Sequence, residues 1–279
     1  MSAIAVAGIL RGGHFSPNNV SCDAAILNDV AAGLRRRGLT VNVYSEEQFI
    51  AHGIGAEPIV MAMTRDERST TRLLALEGRG RIVINSGHGI AHCARANMVR
   101  IFEREGIPQP PTFVVATDED VRRRLKDAGI ERCWVKRADC QTIHKEDVAH
   151  ARHIEEAQEL LSEFFIRGIR QATVARHVAG LHVKFYGVGA TDFFHYYFTA
   201  DSPQIPAQFD ADAFGATCSR AAASLGVTVY GGDAIVDPLT GSFVIISFND
   251  WPGFAPCRQQ AAKAIIRHIA SHARKLLKR

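Results

Sequence analysis

The residues best suited to chemistry cluster between Leu225 and Phe254, LGVTVYGGDAIVDPLTGSFVIISFNDWPGF. A strand there carries an outward acid, Asp233, and a turn follows at Asp237-Pro238-Leu239-Thr240-Gly241. A second apolar strand, Phe243 to Phe248, runs into Asn249. Two strands joined by a short turn hold an acid and an amide side by side. That pairing suits magnesium, a hard ion that takes oxygen ligands and commonly shares nucleotide phosphates. Two lysines complete the set. Lys136 ends the strand Cys133-Trp134-Val135-Lys136, where an ammonium can reach phosphate oxygens; an exposed strand-end lysine is the other reading. Lys184, between Val183 and Phe185, points outward from a half-buried strand and is expected to share a sheet with Asp233.

The elements that must position these groups follow from periodicity and punctuation. Apolar runs predict strands at Ala3–Leu10, Leu39–Tyr44, Ile59–Met63 and Arg81–Asn85, with helices at Asp23–Arg37 and Arg68–Glu77. This alternation implies a small doubly wound α/β domain with ligand loops at its strand ends. The loops at Gly12–Asn18, Arg65 and Asn85–Gly89 are candidates for binding substrate anions, with a purely structural turn as the alternative at each. A helix at Ala96–Glu105 then meets Gly106-Ile107-Pro108-Gln109-Pro110-Pro111-Thr112, a stiff connector that cannot continue a helix.

Further along, Asp118–Ala128 and Ile154–Gly168 read as helices, and Arg132–Lys136 as a strand. Asp139–His150 reads as a polar loop too long for an ordinary turn. Thr173–Val178 and Leu181–Val188 are expected to form a hairpin, followed by a strand at Phe193–Thr199. Helices at Phe209–Leu225 and Cys257–Lys278 flank the acid-bearing hairpin. The divisions expected are 1–94, 95–175 and 176–279, an α/β domain followed by two α+β lobes.

Composition narrows the classes. With 279 residues, 47% apolar and 22% charged, the chain is ordinary globular material with room for several lobes. A net charge of +4, dispersed along the sequence, argues against a nucleic-acid partner. The closing run Arg274–Arg279 reads as a solvated helix end, and no apolar run is long enough for a bilayer. Six cysteines without CxxC or zinc spacing suggest buried free thiols in a reducing, cytoplasmic setting. The opening MSAIAVAGIL reads as a first strand, not a signal peptide.

The order of these pieces resembles the ATP-grasp superfamily, of the carboxylate–amine or thiol ligase type that includes glutathione synthetase. The resemblance is carried by Gly106–Thr112, Trp134–Lys136, His177–Gly189 and Tyr230–Phe254, and it spans essentially the whole chain. It implies an ATP-grasp fold in which two α+β lobes clasp ATP and acceptor substrates meet the N-terminal domain. It implies ATP and Mg²⁺ as cofactors, with Lys136, Arg95 and Lys184 on phosphates. It makes Arg176, His177 and Val178 the adenine-side hinge, and Asp233, Asn249 and Ser247 the metal positions.

Several positions depart from the family pattern. Ser247 stands where relatives have a metal-bridging acid, and Ala175-Arg176 where they commonly have Gln-Glu on the ribose side. Arg95 replaces a frequent lysine, and Arg and Lys reach phosphate differently. The flap carries no glycine and offers Gln141, Thr142, His144 and Lys145 instead.

The expected activity is amide or peptide bond formation through an acyl phosphate, with Lys184 and Arg95 as the catalytic cations. Its substrates are small-molecule or peptide carboxylates and amines, and a homodimer is compatible with the resemblance. The altered positions leave a second reading, a catalytically impaired ATP-grasp protein acting as nucleotide sensor or partner scaffold. A small-molecule kinase on the same fold ranks third.

Overall fold

The structure is a computed structural model that describes residues 4–15, 20–138, 144–199 and 207–278. The N-terminal part runs β1 (Ala5–Ile9), α1 (Val20–Arg35), β2 (Thr40–Tyr44), α2 (Glu46–His52), β3 (Ile59–Ala62), α3 (Glu67–Gly78), β4 (Ile82–Ile84) and α4 (Gly87–His92). Its strands pair in parallel in the order β2-β1-β3-β4. Val6, Ala7, Ile59 and Val60 are fully buried, as expected of a parallel sheet covered on both faces. Helix α2 was not among the sequence-predicted elements. Ser45 and Gln48 close a capping box on it, each side chain bonded to the other's backbone N–H.

The middle of the chain holds α5 (Arg95–Arg104), β5 (Thr112–Ala116), α6 (Arg122–Asp127), β6 (Cys133–Arg137), β7 (Val148–Ala151), α7 (Ile154–Ile166) and β8 (Gln171–Arg176). These strands form an antiparallel sheet, β5-β8-β6-β7, backed by α6 and α7 through Leu125, Leu161 and Phe164. Strand β7 begins inside the stretch expected to be loop. It pairs with β6, placing Ala149 opposite Val135.

The last part comprises β9 (Leu181–Val188), β10 (Phe193–Phe198), α8 (Ala211–Leu225), β11 (Val229–Val236), β12 (Phe243–Asp250) and α9 (Arg258–Leu277). Its antiparallel sheet runs β10-β9-β11-β12. The expected β8–β9 hairpin does not form. β8 pairs with β5 and β6, whereas β9 pairs with β10 and β11, so the segment between them crosses from one sheet to the next. Asp210 caps α8 by accepting from Asp212 and Ala213 N–H, and Gly226 ends it in the left-handed conformation, φ 75°.

Packing crosses chain order. Helix α9 lies on α1, sharing a buried cluster of Leu27, Val30, Ile265 and Ile269 with the first sheet. Helix α5 packs with α8 beneath the third sheet, Phe102 standing edge-on to Phe248 with ring centroids 5.9 Å apart. Among the described residues no helix is long and apolar enough to cross a membrane. The described cysteines are all free, Cys93, Cys133, Cys218 and Cys257 buried and Cys22 partly so.

Candidate active site

Cross-strand register builds the centre of the site. In the third sheet Asp233 of β11 stands opposite Lys184 of β9 on one side and Ser247 of β12 on the other. Directly opposed residues in adjacent strands share a face, so the three form one row across the sheet. Lys184 Nζ donates to Asp233 Oδ1 at 2.8 Å. His182, two residues before Lys184 and hence on the same face, brings Nε2 within 2.9 Å of the same oxygen. Burial alone would raise the Asp233 carboxyl, but the His182 hydrogen bond and the Lys184 ammonium hold it below its ordinary value. Burial opposes the charge on Lys184 as well, yet Asp233 leaves that ammonium above its ordinary value.

Asn249 sits two residues after Ser247, and its Nδ2 donates to Ser247 Oγ at 3.3 Å. Its amide oxygen is thereby left as the acceptor end of the group. The next residue, Asp250, faces the opposite way, as strand alternation requires. It is fully buried, 3.8 Å from Arg65 Nε and 4.0 Å from Arg11 Nη2. Asp250 therefore belongs to the contact with the N-terminal domain and not to the row.

A cleft of about 740 Å³ opens between the second and third sheets, within the size range of small-molecule sites. Lys136, Arg95, Asp233, Ser247, Ile246 and the hinge residues Arg176, His177 and Val178 line it. Lys136 reaches across from β6, its Nζ donating to the Ile246 carbonyl of β12 at 3.3 Å. Burial, assisted by Arg95, lowers its ammonium to about 8. Arg95 opens α5 and donates from Nη1 to the Arg137 carbonyl at 2.5 Å, which holds its guanidinium beside the end of β6.

At the other end of the cleft, Trp134 shares the face of Lys136. Its indole N–H donates to His177 Nδ1 at 3.2 Å, which places the His177 proton on Nε2. Burial, then His150 and Arg132, keep His177 below its usual pKa. Arg176 borders the cleft, but its guanidinium turns outward and donates to the Ala128 carbonyl at 2.8 Å. The His177 N–H is taken by the Arg132 carbonyl, so the hinge is stitched to the start of β6.

A second cleft, about 430 Å³, lies between the N-terminal domain and the third sheet. Arg11, Asp23 and Arg65 line it from one side, and Lys184, Asp233 and Asn249 from the other. Asp233 borders both clefts.

Other sequence-predicted positions have structural employment. The Gly12 N–H, proposed for substrate anions, donates to the buried Glu46 carboxylate at 2.6 Å. The same carboxylate accepts from the Arg65 and Asp66 N–H groups, tying together the loops after β1 and β3. Asn85 docks the loop after β4 onto β11, accepting from Thr228 and Val229 N–H and donating to the Val229 carbonyl. Lys145 is exposed, 3.8 Å from the Glu146 carboxylate, and His144 forms a capping box with Asp147 over a short turn. Gln141 and Thr142, like Ser16 to Asn18, lie outside the described residues.

The oxygen donors that this row offers a hard cation are the Asp233 carboxylate, the Ser247 hydroxyl and the Asn249 amide. Among the described residues no group of three or more acids, histidines or cysteines is arranged to hold a metal ion by itself. One charged ligand with two neutral ones fits an ion held largely by phosphate oxygens, the usual habit of Mg²⁺, rather than a dedicated protein cage. His182 and Trp134 are the contributors that sequence reading missed. His182 was open to discovery from its two-residue spacing to Lys184.

No protein-family model matches this chain, and no curated protein does. Solved structures match it along its whole length. The D-alanine–D-alanine ligase from Bacillus anthracis complexed with ATP superimposes with a TM-score of 0.74 at 13% identity, covering 99% of each chain. The ATP-grasp ligase PsnB complexed with minimal precursor, Mg and ADP gives 0.66 at 17% identity, covering 96% of this chain and 98% of that one. The RimK domain protein ATP-grasp from Sphaerobacter thermophilus gives 0.70 at 16%, covering 94% and 98%. With an N-terminal parallel sheet followed by two antiparallel ones, and with these matches from end to end, the chain has the ATP-grasp fold, the fold of carboxylate–amine ligases.

Proposed function

We propose that this chain is an ATP-dependent carboxylate–amine ligase, forming an amide or peptide bond through an acyl phosphate. One observation carries the reading: the larger and smaller clefts meet at Asp233, with Lys184 beside it. A reaction that moves a phosphoryl group from nucleotide to acceptor needs two compartments sharing one charged junction.

The roles follow from position. Arg176, His177 and Val178 border the adenine end of the larger cleft, and Lys136 with Arg95 binds the nucleotide phosphates. Lys184 meets the phosphoryl group in transfer, where a fixed cation stabilises developing charge. A carboxylate oxygen of the acceptor, in the smaller cleft, attacks the γ-phosphorus while the bond to the bridging oxygen breaks and ADP leaves. The amine nitrogen then attacks the acyl carbon, phosphate departs with the bonding electrons, and the amine proton passes to solvent. Asp233, Ser247 and Asn249 would hold a phosphate-bound magnesium, whose chemistry is to neutralise phosphate oxygens.

A second reading rests on Ser247 and on Asp233 Oδ1, which already accepts from two side chains. Both features suit a nucleotide sensor, or a scaffold acting through a partner, whose turnover has been lost.

Hydroxylamine trapping separates the two without knowledge of the natural amine. The protein is incubated with ATP, Mg²⁺, hydroxylamine and a pool of amino and peptide carboxylates. A ligase forms hydroxamate with matching release of ADP and phosphate, and Lys184→Met lowers the yield by about a hundredfold. ATP binding without hydroxamate for any carboxylate would leave the sensor reading. ADP formation without phosphate release would indicate a kinase.

A further inference from the structure

Away from both clefts, the side of α9 next to the turn before β10 carries a second group of ligating side chains, both partly buried. His268 and His272 stand four residues apart, so successive turns present both imidazoles on one side. Their rings meet edge to face with centroids 5.0 Å apart, and the two Nε2 atoms approach to 3.3 Å. Behind His268, Nδ1 faces the Asp192 carboxylate at 3.6 Å. Arg267 donates to the Asp192 carbonyl at 3.1 Å and so fixes the turn before β10 against the helix.

We infer that His268 and His272 form a chelating site for a divalent transition metal of the zinc or copper class, with Asp192 orienting the first ligand. Two imidazole nitrogens bound tetrahedrally to zinc at about 2.0–2.1 Å stand about 3.3–3.4 Å apart. The observed separation matches that figure before any ion is considered. A carboxylate on the far ring nitrogen is the habitual partner of a metal-bound histidine. Across 3.6 Å the negative Asp192 carboxylate favours the proton on Nδ1, which leaves the Nε2 lone pair of His268 toward His272.

Two protein ligands leave the remaining positions to water. The site is therefore an exchangeable one, and its affinity follows the order in which copper exceeds zinc. An ion bound there would cross-link two successive turns of the C-terminal helix beside the Asp192 turn.

A pair of imidazoles sharing one proton has the same approach, and metal titration decides between them. The intact chain is titrated with Zn²⁺ by calorimetry and with Cu²⁺ by electron paramagnetic resonance. One equivalent of Cu²⁺ with two nitrogen ligands is expected. His268→Gln and His272→Gln should each weaken binding at least tenfold, and Asp192→Asn by about tenfold. Zinc should also raise the melting temperature of the native chain and leave that of His272→Gln unchanged, which separates lost ligation from lost folding. Absence of any bound equivalent would overturn the site. So would binding that survives both histidine changes, or that disappears instead with His150→Gln.

Discussion

Lys136 combines two opposed demands: the phosphate role proposed for it needs its charge, and its surroundings resist it. The ammonium is lowered to about 8 against an unperturbed value near ~10.4, burial being the larger cause and Arg95 the next. Below pH 8 the folded and unfolded chains both carry the proton, and the cost of burying the charge is fully present. Between pH 8 and the unfolded value the unfolded chain holds more protons, so stability rises with pH across that window. Nucleotide phosphates reverse the local balance by supplying the missing partner. ATP binding at pH 8.5 should therefore take up protons, and affinity should fall as pH rises through 8. Calorimetry in buffers of different ionisation enthalpy measures the uptake, and Lys136→Met should abolish it.

At the scale of elements, the site depends on three strands staying in register. A Cβ at Gly232 would stand 2.2 Å from the Ser247 carbonyl oxygen, a backbone atom that cannot swing aside. Gly232→Ala should push β12 away and cost about 1–3 kcal/mol, seen as a drop in melting temperature of several degrees. The same row explains what Ser247 changes. Replacing it by Asp returns a second carboxylate beside Asp233, and the account expects magnesium to improve ATP affinity at least tenfold more than in the native chain. An unchanged magnesium dependence in Ser247→Asp would show that the row does not face the metal.

Much of this geometry was legible. Alternation around Lys184 and Asp233 gave the shared face, and the turn at Asp237–Gly241 gave the hairpin. The run Gly106–Thr112, with proline at 108, 110 and 111, marked where the helix before it stops. Other parts were hidden for physical reasons. β7, Val-Ala-His-Ala, has little strand character of its own and exists because β6 offers an edge. The β8–β9 hairpin failed because a strand followed by a glycine and another strand looks the same whether the chain folds back or crosses to a second sheet. Helix α2 was missed although its Ser45–Gln48 capping signal stands in the sequence. The occupation of Asp233 by His182 and Lys184 depends on side-chain reach, which spacing suggests without fixing.

Across the whole molecule, the junction of N-terminal domain and third sheet is an ionic contact in a dry setting. Asp250 is fully buried between Arg11 and Arg65, whose side chains are only 5% and 12% exposed. Arg11 also donates to Asp23 at 2.8 Å and to the Met63 and Trp251 carbonyls. Removing one partner of such a set leaves charge stranded in low dielectric. Asp250→Ala should destabilise the fold by about 3–5 kcal/mol in denaturant titration, far more than loss of an exposed ion pair. Because Arg65 also lines the smaller cleft, the same change should loosen the acceptor compartment while leaving the Lys136 cleft formed.

The central claim is that the cleft between the second and third sheets holds a nucleotide with its phosphates on Lys136. Calorimetric titration with ATP, with and without Mg²⁺, on the native chain and on Lys136→Met, tests it most directly. One ATP should bind per chain, with affinity at least tenfold weaker in the variant. Absence of binding, or binding that Lys136→Met leaves untouched, would contradict it.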